Sequence, residues 1–149
     1  MNGRILVWPV VALLVLALAG QTVRWRDRLT ASRLLREVEA LTMAAMSTRQ
    51  LSEPLLFRNL EVLRMAAPKD PVEVGIPIAT GTQYLLLRRN DAAIRAYERA
   101  VALEPRPEGY LNLGRAQLAA GRREEARANF QRAVRLDPRL ISEIPEGAL

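Results

Sequence analysis

The chain contains no cysteine and no histidine. The first absence excludes disulfides, and the two together exclude a Cys/His zinc site. Catalysis by a thiolate or an imidazole goes with them, so Ser32, Ser47, Ser52 and Ser142 have no imidazole base. Aromatic residues make up only 5% of the sequence and do not cluster, which is too sparse to stack nucleobases. There is no run of like charge. The net charge of +6 is carried mostly by Arg interleaved with Glu, the pattern of solvated helix faces. No phosphate loop is present, because Gly75 to Gly81 lacks the required Lys-Ser/Thr. The carboxylates sit beside Arg on helix faces, where i, i+4 pairing accounts for them, and Glu124 and Glu125 occupy the first turn of a helix. The sequence therefore predicts a non-enzyme: no catalytic residue, no cofactor, no metal, no nucleic-acid partner and no small-molecule substrate.

What is present is a repeat. Ala93-Ile94-Arg95-Ala96-Tyr97-Glu98-Arg99-Ala100 returns 33 residues later as Ala126-Arg127-Ala128-Asn129-Phe130-Gln131-Arg132-Ala133. Gly81 and Gly114 keep the same offset, as do Leu103 and Leu136, and Pro105 and Pro138. A period of this length is the mark of a solenoid, whose units stack and present a surface. Gly81, Gly114, Ala93 and Ala126 let paired helices approach. Tyr97 and Phe130 fill the space between units, Leu103 and Leu136 close the apolar stripe, and Pro105 and Pro138 end the second helices. Asn90 or Asp91 is placed to cap the helix before Ala93.

The N-terminal third is of a different kind. Ile5 to Val23 has no ionisable residue, and at ~1.5 Å per residue these 19 positions reach about 28 Å, near the ~30 Å hydrocarbon core. Trp8 at one end and Arg24, Trp25, Arg26 and Arg28 at the other read as interfacial anchors. Residues 1–25 are thus expected to form a single-pass transmembrane anchor. A cleaved leader is the rival, since Ala17-Leu18-Ala19-Gly20 suits a signal-peptide site. Counting Arg near the span places the repeats in the cytoplasm, whereas that cleavage site places them outside it. From residue 26 the chain continues as an amphipathic helix to Ser47, with Leu34, Val38, Leu41 and Ala45 as its stripe. Ser52 caps a second helix, with Glu53 and Pro54 in its first turn and Leu56, Leu60 and Leu63 as its apolar face. Residues 26–71 read as a linker helix and a degenerate helical hairpin capping the stack.

Tyr110, Leu113, Gly114, Ala126, Phe130, Ala133 and Pro138 fall at the spacings aromatic-Leu-Gly, Ala-x3-aromatic-x2-Ala and Pro. In this the chain resembles the tetratricopeptide repeat family, in the form of a bacterial membrane-anchored member. Gln117 departs from the pattern in that unit. The preceding unit matches with Gly81, Tyr84, Ala93, Tyr97, Ala100 and Pro105, and departs at Pro77, Thr80 and Arg88. The resemblance implies an all-α fold: a transmembrane helix running into an amphipathic helix, then a short solenoid with two repeat units over 74–138 and a capping segment over 139–149. It also implies a concave groove lined by the first helix of each unit. Ile78, Thr82, Leu85, Leu111, Asn112, Arg115 and Leu118 would then be the partner-binding residues, with Glu108 near them. Ile78 and Thr82 stand where the family's carboxylate clamp needs Lys and Asn, and only Asn112 matches it. The apolar Leu140, Ile141 and Ile144 of the capping segment either fold back on the last repeat or contact a neighbour. The function expected is that of a membrane-anchored adaptor, an accessory or assembly subunit with protein partners, or copies of itself, at a lipid bilayer. The alternative is a filament or homo-oligomer whose apolar N-terminal helices pack together.

Overall fold

The computed structural model describes the backbone from Val7 and the side chains from Val10, through Leu149. Among the described residues six α-helices follow one another: α1 (Val7–Ser47), α2 (Glu53–Ala66), α3 (Gly75–Leu86), α4 (Asn90–Leu103), α5 (Pro107–Ala119) and α6 (Arg123–Leu136). A 3-10 turn over Pro138–Glu143 closes the chain, and no strand occurs among the described residues. Each helix packs chiefly on its neighbours in sequence, as a solenoid requires. The core is accordingly a row of three clusters. The first joins Ala31, Leu35 and Val38 of α1 to Leu63, Ala66, Ile76 and Ala79. The second gathers Ala93, Ile94 and Tyr97 with Leu113 and Ala116. The third unites Leu111, Ala126, Phe130, Ala133 and Leu140.

The glycines at the 33-residue echo act by proximity. A Cβ on Gly81 would lie 2.7 Å from the Tyr97 ring, and one on Gly114 would lie 2.6 Å from that of Phe130. In the α5–α6 turn Gly121 takes φ +79°. The matching α3–α4 turn puts Arg88 in the left-handed region at φ 56°, a conformation costing a side-chain-bearing residue roughly 1–2 kcal/mol. Neither Asn90 nor Asp91 caps α4. The N-cap position falls at Arg89, the Asn90 amide donates to the Ala119 carbonyl at 2.7 Å, and Asp91 accepts from Arg122 at 2.6 Å. Both side chains tie one unit to the next. Leu103 and Leu136 do not close the stripe. They sit at the last positions of α4 and α6 and are exposed.

Helix α1 turns to the bundle a face that keeps Val38 and Ala45 of the expected stripe, both buried, and leaves Leu34 and Leu41 half-buried at its margin. Ala31, Leu35, Val38, Thr42 and Ala45 are buried. Thr42 is tolerated there because its hydroxyl donates to the Val38 carbonyl at 2.8 Å and accepts from Asn59 at 3.1 Å and Gln83 at 3.0 Å. These three buried polar side chains pin α1, α2 and α3 together. At its other end the bundle holds α1 through Lys69–Asp27 (3.6 Å) and Arg28–Asp70 (3.9 Å).

The expectation of a transmembrane anchor over 1–25 is corrected. Among the described residues no helix is long and apolar enough to cross a membrane. Gly20, Gln21 and Thr22 dilute the apolar character of α1, and Arg24, Arg26, Asp27 and Arg28 follow at once. Ile5 and the Trp8 side chain lie outside the described residues. Trp25 and Arg26 stand exposed on α1, Arg24 bonds the Gly20 carbonyl at 3.3 Å, and Arg28 faces Asp70. From Val10 to Leu18 the helix carries large apolar side chains that nothing in the bundle covers.

Candidate protein-binding groove

The first helices of the hairpins are α1, α3 and α5, and α1 packs on α3. Between α1 and α3 lies an open cleft of about 690 Å³. Its lining is mainly apolar: Val38, Met43 and Met46 from α1, and Ile78 and Ala79 from α3. Met43 is 72% exposed and Met46 56%, and unbranched thioether side chains adapt to varied apolar partners. Thr42 and Gln83 reach the cleft from the buried polar cluster, and Thr82 stands at its edge.

Thr82 opens the polar part of the face. Its hydroxyl bonds the Ile78 carbonyl at 3.1 Å and meets the Tyr97 phenol at 3.1 Å. Burial pushes the Tyr97 phenol above its ordinary value, opposed in smaller measure by the Thr82 hydrogen bond and the charge of Arg115. Tyr97 is therefore a neutral hydroxyl here, useful as a fixed donor or acceptor and not as a base.

The α5 end of the face is already occupied. Leu140 buries itself against Leu111, Phe130 and Ala133, with Ile144 and Ala148 packed beside it. The C-terminal segment thus folds back on α5 and α6. Arg115 donates to the Glu143 backbone carbonyl at 3.0 Å and pairs with the Glu143 carboxylate at 3.1 Å. Arg127 donates to the Leu149 carbonyl at 2.6 Å.

The seven residues predicted for the groove consequently divide. Ile78 and Thr82 meet at the open cleft with α1. Leu85 is half-buried and packs on the second core cluster. Leu111 is buried in the third cluster, 3% exposed. Asn112 is half-buried on α5. Arg115 is engaged by Glu143, and Leu118 packs on the third cluster beside the C-terminal segment. Met43 and Met46 were missed, because their stretch of α1 reads as a linker. The signal that marks them is two Met one turn apart on α1, flanking the apolar face that carries Leu35 and Val38. Among the described residues no cluster of three acidic side chains could hold a metal ion.

This architecture has known counterparts. The tetratricopeptide repeat family profile matches residues 78–140. No curated protein matches the chain. Among solved structures, a thermophilic TPR protein of Thermus thermophilus is similar at 26% identity and a TM-score of 0.67, over 83% of this chain and 64% of that one. This chain therefore spans a little under two thirds of that relative's length. The Arabidopsis OM64 TPR domain superposes with a TM-score of 0.64 at 18% identity, over 76% of this chain and 87% of that one. The first TPR of Spaghetti (RPAP3), bound to the HSP90 peptide SRMEEVD, gives 0.66 at 20% identity, over 78% of this chain and 88% of that one.

Proposed function

Since the chain is a tetratricopeptide repeat protein, we propose that it is a non-catalytic adaptor, an accessory or assembly subunit that seats a partner protein along the face of α1, α3 and α5. The observation that carries this reading is the open apolar cleft in which Met43 and Met46 of α1 face Ile78 of α3. Two large apolar side chains, Met43 and Met46, are left uncovered beside an open cleft, and apolar anchors entering such pockets are where interface energy concentrates. The partner best suited is an amphipathic segment. It would place apolar side chains on Met43, Met46 and Ile78 and a polar group toward Thr82. Capture of a C-terminal carboxylate does not suit this face. Ile78 and Thr82 supply no cation, and Arg115 is paired with Glu143. The peptide-bound relative supports a protein segment as the kind of ligand, not the identity of the segment.

A photo-reactive amino acid placed in turn at Met46 and at Phe57 of α2 tests the reading in cells. A partner captured reproducibly from position 46 and absent from position 57 supports the groove. The same set from both positions, or none from position 46, refutes it.

A second reading, self-association, is favoured by a separate observation. Leu13, Leu14, Leu16 and Leu18 are each 58–68% exposed on α1. Contiguous apolar surface of this kind marks an interaction site, and another copy of the same helix is the occupant this reading assigns.

A further inference from the structure

A second cleft lies across α3 from the groove, where α2, α3 and α4 meet. It encloses about 430 Å³. The repeat explains its position. Pro77 and Thr80 line it where the next unit places Tyr110 and Leu113, which line the equivalent cleft of about 460 Å³ between α4, α5 and α6. The two clefts thus occupy the same place on successive seams, and they differ in charge.

In the second seam the lining carries Glu98 and Glu125. Its one cation, Arg132, lies 5.9 Å over the Tyr110 ring, and its guanidinium is 3.4 Å from the Asn129 carbonyl oxygen. The first seam replaces Glu98 by Arg64, Glu125 by Ala92 and Ala128 by Arg95, and keeps Arg99 at the place of Arg132. Three carboxylates also border the first cleft, and each is engaged. Glu61 pairs with Arg64 at 2.9 Å, Asp70 with Arg28 at 3.9 Å, and Glu73 accepts the Gly75 N–H at 3.1 Å. Arg95 and Arg99 stand one turn apart on α4, exposed, and neither enters an ion pair among the described residues. The floor beneath them is apolar, formed by Leu60, Leu63, Ile76 and Pro77.

We propose that this first seam is a docking site for an acidic segment of a partner protein, with one apolar side chain entering the cleft and flanking carboxylates meeting Arg95 and Arg99. Charge complementarity selects the occupant: two guanidiniums without a carboxylate partner favour Asp or Glu over Lys or Arg. The pocket on the equivalent seam, bearing Glu98 and Glu125, disfavours the same segment. The site is independent of the groove, because the two clefts use different faces of α3.

The probes are two fluorescein-labelled dodecapeptides with the same central Leu and Phe, one flanked by Asp and Glu and the other by Lys, titrated into the full chain by fluorescence anisotropy. The acidic peptide is expected to bind at least about tenfold more tightly than the basic one and to weaken as salt is raised. R95E/R99E should lose about tenfold or more of the acidic peptide's affinity with the helical circular dichroism unchanged, since both side chains are exposed. T80L, which copies the Leu113 of the other seam, should weaken binding by narrowing the cleft, whereas M46E in the groove should leave it intact. The proposal is overturned if the acidic peptide does not bind, or if both peptides bind alike. It is also overturned if M46E abolishes binding while R95E/R99E does not, which would place the acidic segment in the groove.

Discussion

Substituting Gly114 by Ala adds a single methyl group to the tightest point of the third core cluster. That methyl would stand 2.6 Å from Phe130 Cε1, 2.7 Å from Cδ1 and 3.1 Å from Cζ. Relaxed carbon–carbon contacts are about 3.5–4.0 Å, so the ring or the helix must retreat by about an ångström. Phe130 is fully buried, and its ring is rigid, so the retreat disturbs Ala126, Ala133 and Leu140 as well. Overpacking of this kind costs about 1–3 kcal/mol. Against it stands the helix-propensity gain of Ala over Gly, about 1 kcal/mol. The net expectation is a loss of about 1 kcal/mol, or about 2–4 °C in Tm for a chain of this length. The sign alone does not identify the ring as the cause, so the second half of the experiment is Phe130→Leu. With the ring gone, Gly114→Ala should become neutral or stabilising, giving a coupling energy of about 1–2 kcal/mol in a double-mutant cycle. Urea unfolding followed by far-ultraviolet circular dichroism supplies the four stabilities. If Gly114→Ala is as stable as the parent while Phe130 is present, close approach is not the reason for glycine here.

The C-terminal turn should respond to acid through Asp137. Its carboxylate accepts the Arg139 guanidinium at 2.8 Å and the Arg139 backbone N–H at 3.0 Å, and these bonds hold its pKa below the ordinary carboxylate value. A depressed pKa contributes stability that is complete above the unfolded value, fades below about pH 4 and is lost as pH falls through the folded value. The Leu140 methyl resonances should therefore keep their native positions down to about pH 4 and move below it. Movement already at pH 6, or the same profile in Asp137→Asn, would refute the assignment. Self-association through α1 predicts that the full chain sediments as an oligomer and that Leu14→Glu with Leu18→Glu returns it to a monomer. A monomeric parent chain rules that reading out.

The second repeat unit was legible because its chemistry is local and repeated. Gly114 and Phe130 are spaced so that only one helix pairing brings them together, and Gly81 with Tyr97 says the same thing 33 residues earlier. The side of α1 that packs was not legible in the same way. Leu34, Leu35, Val38 and Leu41 spread over about a third of the helix circumference, and the buried face is the side of that arc that includes Thr42. Its burial depends on Asn59 and Gln83, which are 17 and 41 residues away. The fate of Arg115 was hidden for a similar reason, since Glu143 reaches it only through the fold of the last segment. Leu111 and Leu118 differ from Ile78 by what lies over them, and that covering comes from Leu140 and Ile144. The expected anchor is overturned because no helix among the described residues is long and apolar enough to cross a membrane, and the run of apolar letters does not by itself weigh Gly20, Gln21 and Thr22 against it. The first seam cleft was foreshadowed by the departures Pro77 and Thr80, whose consequence emerges only when α2 and α4 are placed around them.

Helix α1 runs unbroken for 41 residues, about 60 Å at the rise of an α-helix, while the bundle grips it only from Asp27 onward. It is a lever with its fulcrum at the Asp27–Lys69 and Arg28–Asp70 pairs. The same continuous helix that carries the uncovered leucines at one end supplies Val38, Met43 and Met46 to the cleft at the other.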